Sequence, residues 1–131
     1  MSTIKTTTLS TLDGTATVPV NTVVNGSAKA WVNFNGTGTV AIRASFNVTS
    51  ITDNNVGRFT VNMTNAMSDG NYAVVASTSA TNGSNFMDAP NLFSDGYVVT
   101  APTTSSFTVQ TLQGNFGAYA DPNYFCIVVF R

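Results

Sequence analysis

The chain of 131 residues suits a single domain with one hydrophobic core, and no apolar run in it is long enough to cross a bilayer as a helix. A net charge of −1, built from five scattered cations and six acidic residues, leaves no basic patch for a row of phosphates and excludes nucleic acid as an expected partner. The N-terminal run Met1-Ser2-Thr3-Ile4-Lys5-Thr6 lacks the apolar stretch of a secretory signal.

In chain order, residues 1–28 contain no aromatic side chain, and their apolar content is mainly Val18-Pro19-Val20 and Val23-Val24. Such a segment buries too little surface to offset its ordering entropy. It is expected to be an extended N-terminal attachment arm or linker that orders against a partner, ahead of a domain over 29–131; a disordered terminus is the alternative. The first predicted strand runs from Lys29 to Phe34, with Ala30, Val32 and Phe34 on one face and Lys29, Trp31 and Asn33 on the other. Gly36-Thr37-Gly38 reads as a hairpin turn, because no phosphate-loop lysine or opening helix follows it. From Val40 to Val48, alternate positions Val40, Ile42, Ala44, Phe46 and Val48 predict one half-buried strand with these residues inward.

The pattern repeats at Phe59, Val61 and Met63, and again around Phe107 and Val109. Tyr72 to Ala76, Tyr97 to Val99 and Tyr124 to Phe130 are apolar on both sides and predict central strands covered on two faces. Ser77 to Asp95 is aperiodic and predicts a long loop, of the kind that is functional or mobile. Within it, Phe86 and Met87 either pin the loop to the core or belong to a contact surface. No window carries a 3.6-residue stripe, and threonine and valine dominate outside the turns. The fold class expected is all-β, an antiparallel β-sandwich or barrel-like domain preceded by the arm.

The chemistry on offer is narrow. Histidine and glutamate are absent, which removes the usual proton shuttle and the usual imidazole metal ligand. Cys126 is alone, so it can form no intramolecular disulfide, and its setting in Tyr124-Phe125-Cys126-Ile127-Val128-Val129-Phe130 predicts an inert core thiol. Asp13-Gly14, Asp69-Gly70, Asp95-Gly96, Asp53-Asn54-Asn55 and Asp121-Pro122 read as turns, which leaves Asp88 as the one carboxylate its neighbours do not explain. No acidic spacing matches a calcium loop. Neither catalysis, a metal nor a cofactor is therefore expected. The five Asn-x-Ser/Thr sequons are incidental without a secretory signal.

The run Val23-Val24-Asn25-Gly26-Ser27-Ala28-Lys29-Ala30-Trp31-Val32-Asn33-Phe34-Asn35-Gly36-Thr37-Gly38-Thr39-Val40-Ala41-Ile42-Arg43-Ala44-Ser45-Phe46-Asn47-Val48 resembles phage tail-fibre and related virion proteins, many of them from aquatic phages. Ser50-Ile51-Thr52-Asp53-Asn54, Phe59-Thr60-Val61-Asn62, Ala66 to Val75 and the terminal Val128-Val129-Phe130-Arg131 are similar in order and spacing. The likeness covers residues 23–76 well and the last strand loosely. It implies a virion protein that trimerises and sits at the end of a fibre. No long shaft precedes the run within these 131 residues, and a short fibre, a fibre tip and a capsid decoration are the expected alternatives.

These readings name two candidate surfaces. Asn82, Asn85, Phe86, Met87 and Asp88 are receptor-binding candidates, the amides for sugar hydroxyls and Phe86 as an apolar platform for a host glycan or envelope protein. Lys29, Trp31 and Arg43 are oligomer-interface candidates: an indole on a polar strand face, with Arg43 expected to stack on it, is covered either by a loop of its own chain or by a neighbouring subunit. Other virion proteins are expected to bind the N-terminal arm. The strong apolar strand ending in Phe130-Arg131 suggests a fold complete at that end, with the compact domain outward.

Overall fold

A computed structural model describes residues 2–79, 89–95, 98–112 and 118–131. In order, its elements are β1 (Thr8–Ser10), β2 (Thr17–Pro19), α1 (Val20–Gly26), β3 (Ala28–Asn35), β4 (Ala41–Phe46), β5 (Val48–Asn55), β6 (Arg58–Met63), β7 (Ala73–Thr78), β8 (Ala89–Leu92), β9 (Ser94–Asp95), β10 (Val98–Val99), β11 (Ser106–Leu112) and β12 (Phe125–Phe130). Two antiparallel four-stranded sheets, in the orders β4-β3-β12-β7 and β5-β6-β11-β8, carry a shared core, so the all-β sandwich is the fold.

Period-2 alternation builds that core. Ala30, Val32 and Phe34 of β3 and Phe125, Ile127 and Val129 of β12 point inward from the first sheet. Phe59, Val61 and Met63 of β6 and Phe107 and Val109 of β11 meet them from the second. Two aromatic groups lock the layers. Phe34 stacks on Phe125 at 5.2 Å between ring centroids, and Phe59 meets them edge-on at 5.3 and 6.3 Å. Tyr72, Phe93 and Phe107 form a second edge-to-face trio with centroids 5.9 to 6.3 Å apart. Each fully buried ring contributes about 1.5–3 kcal/mol by burial, with somewhat more from the edge-to-face geometry.

The Val40–Val48 reading needs correction. β4 ends at Phe46, Asn47 adopts a left-handed conformation (φ 55°), and β5 begins at Val48 in the other sheet. Asparagine tolerates this backbone, and its side chain secures the corner. Asn47 Nδ2 donates to the carbonyls of Lys29 (3.1 Å) and Asn65 (3.2 Å), while Oδ1 accepts from the Asn65 N–H at 2.8 Å. With one residue spent on the corner and a bulge between Asn33 and Phe34, Ile42 faces inward and half-buried, but Phe46 points out and is 54% exposed.

Other expectations shift as well. β12 is central, yet its outer face is covered only in part among the described residues, with Cys126, Val128 and Phe130 half-buried there. Cys126 is therefore not a core thiol. β7 lies at a sheet edge, and Val98 and Val99 are exposed in a two-residue strand; Tyr97 lies outside the described residues. The stretch 77–95 is not all loop, because β7 reaches Thr78 and Ala89 to Leu92 pair with β11. Asp53 sits inside β5 rather than in a turn. The turn comes at Gly57 (φ 64°), where an added Cβ would lie 2.7 Å from the Ala120 nitrogen, so only glycine fits.

Residues 2–27 contain no buried side chain. They are not extended throughout: β1 and β2 pair as a hairpin, followed by the seven-residue α1. The hairpin turns at Asp13-Gly14, as expected. The Thr11 hydroxyl (2.7 Å), with the Thr15 N–H and hydroxyl, holds the Asp13 carboxyl down at about 2.

Two outcomes follow from this packing. Asn47→Ala should cost about 1–3 kcal/mol in urea unfolding, through left-handed strain and the lost corner bonds, and Asn47→Gly less. Tyr72 donates its hydroxyl to the carbonyls of Thr103 (2.9 Å) and Ser106 (3.2 Å), and burial pushes its phenol up to about 12. A raised acid favours the folded state below its ordinary value near 10 and loses that contribution as pH rises toward 12. Phenolate absorbance should show one late ionisation near 12 coupled to unfolding, and Tyr72→Phe should remove it.

Candidate interaction surface

Outward positions of the first sheet follow directly from its register. Trp31 pairs with Phe46 on one side and Val128 on the other, and Val128 pairs with Val75. Opposed residues in antiparallel strands share a face with Cβ atoms about 4.5–5.5 Å apart. Phe46, Trp31, Val128 and Val75 therefore form one apolar row across all four strands. Phe46, Trp31 and Val75 are 54%, 38% and 60% exposed. Phe130 and Ala73, paired with each other, extend the row on one side. On the other, Ala44, Asn33, Cys126 and Ser77 form a smaller, more polar row.

The sequence-named residues fall on this face in different roles. Trp31 is in the middle of the row. Arg43 does not stack on it as expected. The bulge between Asn33 and Phe34 carries Arg43 toward the far end, where its guanidinium lies 4.1 Å from the centroid of the Tyr124 ring. There it donates to the Asn123 carbonyl at 2.6 Å and reaches Asn33 Oδ1 at 3.5 Å. Lys29, half-buried, donates from Nζ to the carbonyl of Val24 and joins the end of α1 to the start of β3. The receptor candidates Asn82, Asn85, Phe86, Met87 and Asp88 lie outside the described residues.

Sequence reasoning missed Phe46, Val75, Val128 and Tyr124. Phe46 was hidden by an alternation that ignored the corner at Asn47. Val75 and Val128 did leave a signal, since their strands are apolar on both sides; the second side belongs to this outer face rather than to a buried layer. The outer face of the other sheet is different. There Asn62 Nδ2 donates to the hydroxyls of Ser50 (3.1 Å) and Thr52 (3.0 Å), and Asn54 Nδ2 to that of Thr60 (2.9 Å). Among the described residues, one face is thus polar, with Asn62 and Asn54 paired to neighbouring hydroxyls while Thr108 Oγ1 and Gln110 Oε1 are buried without a hydrogen-bond partner, and the other is apolar and partly exposed.

Carboxylates are dispersed. Asp69 accepts from the Asn71 N–H at 2.7 Å and pairs with Arg131, and the two together hold it below the usual carboxylate range. Asp121 accepts from the Gly57 N–H at 2.6 Å, across the end of the sandwich. Among the described residues, no group of three or more metal-ligating side chains comes together.

Because the Arg43–Tyr124 stack is exposed, a double-mutant cycle over Arg43→Ala and Tyr124→Ala should return a coupling of about 0.5–1 kcal/mol in urea unfolding. No coupling would mean that solvent screens the contact fully. No protein-family model, curated protein or solved structure matches this chain.

Proposed function

We propose that this chain is a bacteriophage virion structural protein, a short tail-fibre or fibre-tip protein that assembles as a homotrimer and presents loops for attachment to a host surface. The observation that carries the assembly part is the outward row Phe46, Trp31, Val128 and Val75. Four apolar side chains in register across a whole sheet are a poor surface to leave in water and a good one to bury between copies. The second support is the tail-fibre-like run from Val23 to Val48, which supplies two of the four residues in the row.

In this reading the module is not an enzyme and needs no cofactor. Residues 1–28 serve contacts with neighbours in the particle, whether copies of the chain or other virion proteins. Asn82, Asn85, Phe86, Met87 and Asp88 offer amides and an apolar ring to a host glycan or envelope protein, weakly per site and strongly through several copies. The self-paired Ser, Thr and Asn side chains of the second sheet favour one further reading, a capsid decoration with no receptor. A face of mostly uncharged polar groups, several of them paired with one another, packs beside identical faces without charge repulsion.

Sedimentation of the purified chain at micromolar concentration should give three copies, and Phe46→Asp with Val75→Asp should give one, with β-rich circular dichroism unchanged. A monomeric parent overturns the assembly reading. Particles carrying Asn85→Ala and Phe86→Ala should assemble but adsorb poorly to host cells; full adsorption would leave decoration as the function.

A further inference from the structure

We infer that the N-terminal hairpin and helix of one copy, residues 8–26, seat on the outer apolar row of the next copy. Subunits are then joined by exchanged arms rather than by sheet laid against sheet. This rests on the reading of that row as an interface between copies.

The arm contains no fully buried side chain, and only Val18 and Val20 in it are half-buried. Leu9, Leu12 and Val24 are 47%, 107% and 52% exposed. A lone two-stranded hairpin is marginal in water, and a seven-residue helix is far below the length that holds by itself. Such elements need a surface to lie on. In this structure the arm's own domain does not provide it, since Leu12 and the Trp31 row are both left open.

Area argues against the simpler contact. Four strands spaced about 4.8 Å apart, and about six residues long at about 3.3 Å each, present a flat face of roughly 400 Å². A stable interface takes about 800 Å² from each partner. A sheet face alone has a small footprint for such an interface, and a hairpin and a helix from the neighbour would add to the surface buried.

Shape and charge agree. The hairpin carries a concavity of about 300 Å³ lined by Leu9, Ala16 and Val18, with Ser10, Thr11 and Thr17 around it. Its size suits one projecting aromatic side chain, such as Trp31 or Phe46. The hairpin turn bears an anion, Asp13, while β3, β4, β7 and β12 contain no carboxylate and carry the cations Lys29 and Arg43. Hairpin and row are different patches, so the contact runs head to tail and closes into a ring when the rotation allows.

The test uses full-length chains in which Cys126→Ser removes the native thiol. One chain carries Leu12→Cys, another Val75→Cys, and the co-assembled pair is treated with a short bis-maleimide. The expected product joins the two different chains, while neither variant alone gives a dimer. A Val75–Val75 product would mean that faces meet directly and overturns arm exchange. So does a chain carrying both cysteines that closes only on itself, and so does the absence of any product from an assembly that still sediments as three copies. If the uncrosslinked protein sediments as one copy, the assembly reading falls with it. As a second readout, Leu9→Asp with Leu12→Asp should reduce the sedimenting mass from three copies to one, although neither residue lies in the folded core. An unchanged mass overturns the inference.

Discussion

The contact of Phe34, Phe125 and Phe59 holds the two sheets together, and the remaining features of the domain depend on it. Phe34 and Phe125 face each other across β3 and β12, and Phe59 reaches them from β6. All three are fully buried. With charged residues so few, burial of aromatic and β-branched side chains is the main source of stability available. The same constraint fixes the inward set of every central strand. Once Phe34 points in, Trp31 and Asn33 must point out, and the outer face of the first sheet follows from the core.

The chain moves between sheets through local devices rather than long connections. Asn47 turns β4 into β5 within one residue, and its amide ties that corner to the Lys29 and Asn65 carbonyls. Tyr72 fastens the turn before β11 from inside, and Gly57 brings the β5–β6 tip against Ala120. These fastenings leave the outer faces free to differ. On the second sheet, Asn62 pairs with Ser50 and Thr52, and Asn54 with Thr60. On the first, apolar residues stand in register with no partner among the described residues.

That asymmetry connects the fold to the proposed role. The protein has few charges and no histidine, and the proposed role rests on its outer surfaces, one polar and one apolar. An apolar row on the domain and an unburied apolar arm on the same chain are complementary needs. In the proposed assembly both are satisfied between neighbours, and the short link from α1 to β3 would set its geometry. Lys29 sits at that link and joins the helix end to the first strand of the domain.

The all-β class, the hairpin at Gly36 to Gly38, the turn at Asp13-Gly14 and the inward sets of β3, β6 and β11 were legible in the sequence. Each depends on neighbours two to four residues apart, where strand periodicity and turn chemistry operate. Trp31 as an outward indole was legible for the same reason. Its companions were not. The row of Phe46, Trp31, Val128 and Val75 joins four strands far apart in the chain, and no local pattern records which residues a sheet places side by side. The displacement of Arg43 from Trp31 to Tyr124 comes from one bulge, and the exposure of Phe46 from one corner. Cys126 and Val128 lie in a run that reads as core from end to end, yet alternate members of it face outward. Strand pairing decided these positions, because register is set by the summed fit of two faces and not by any one segment.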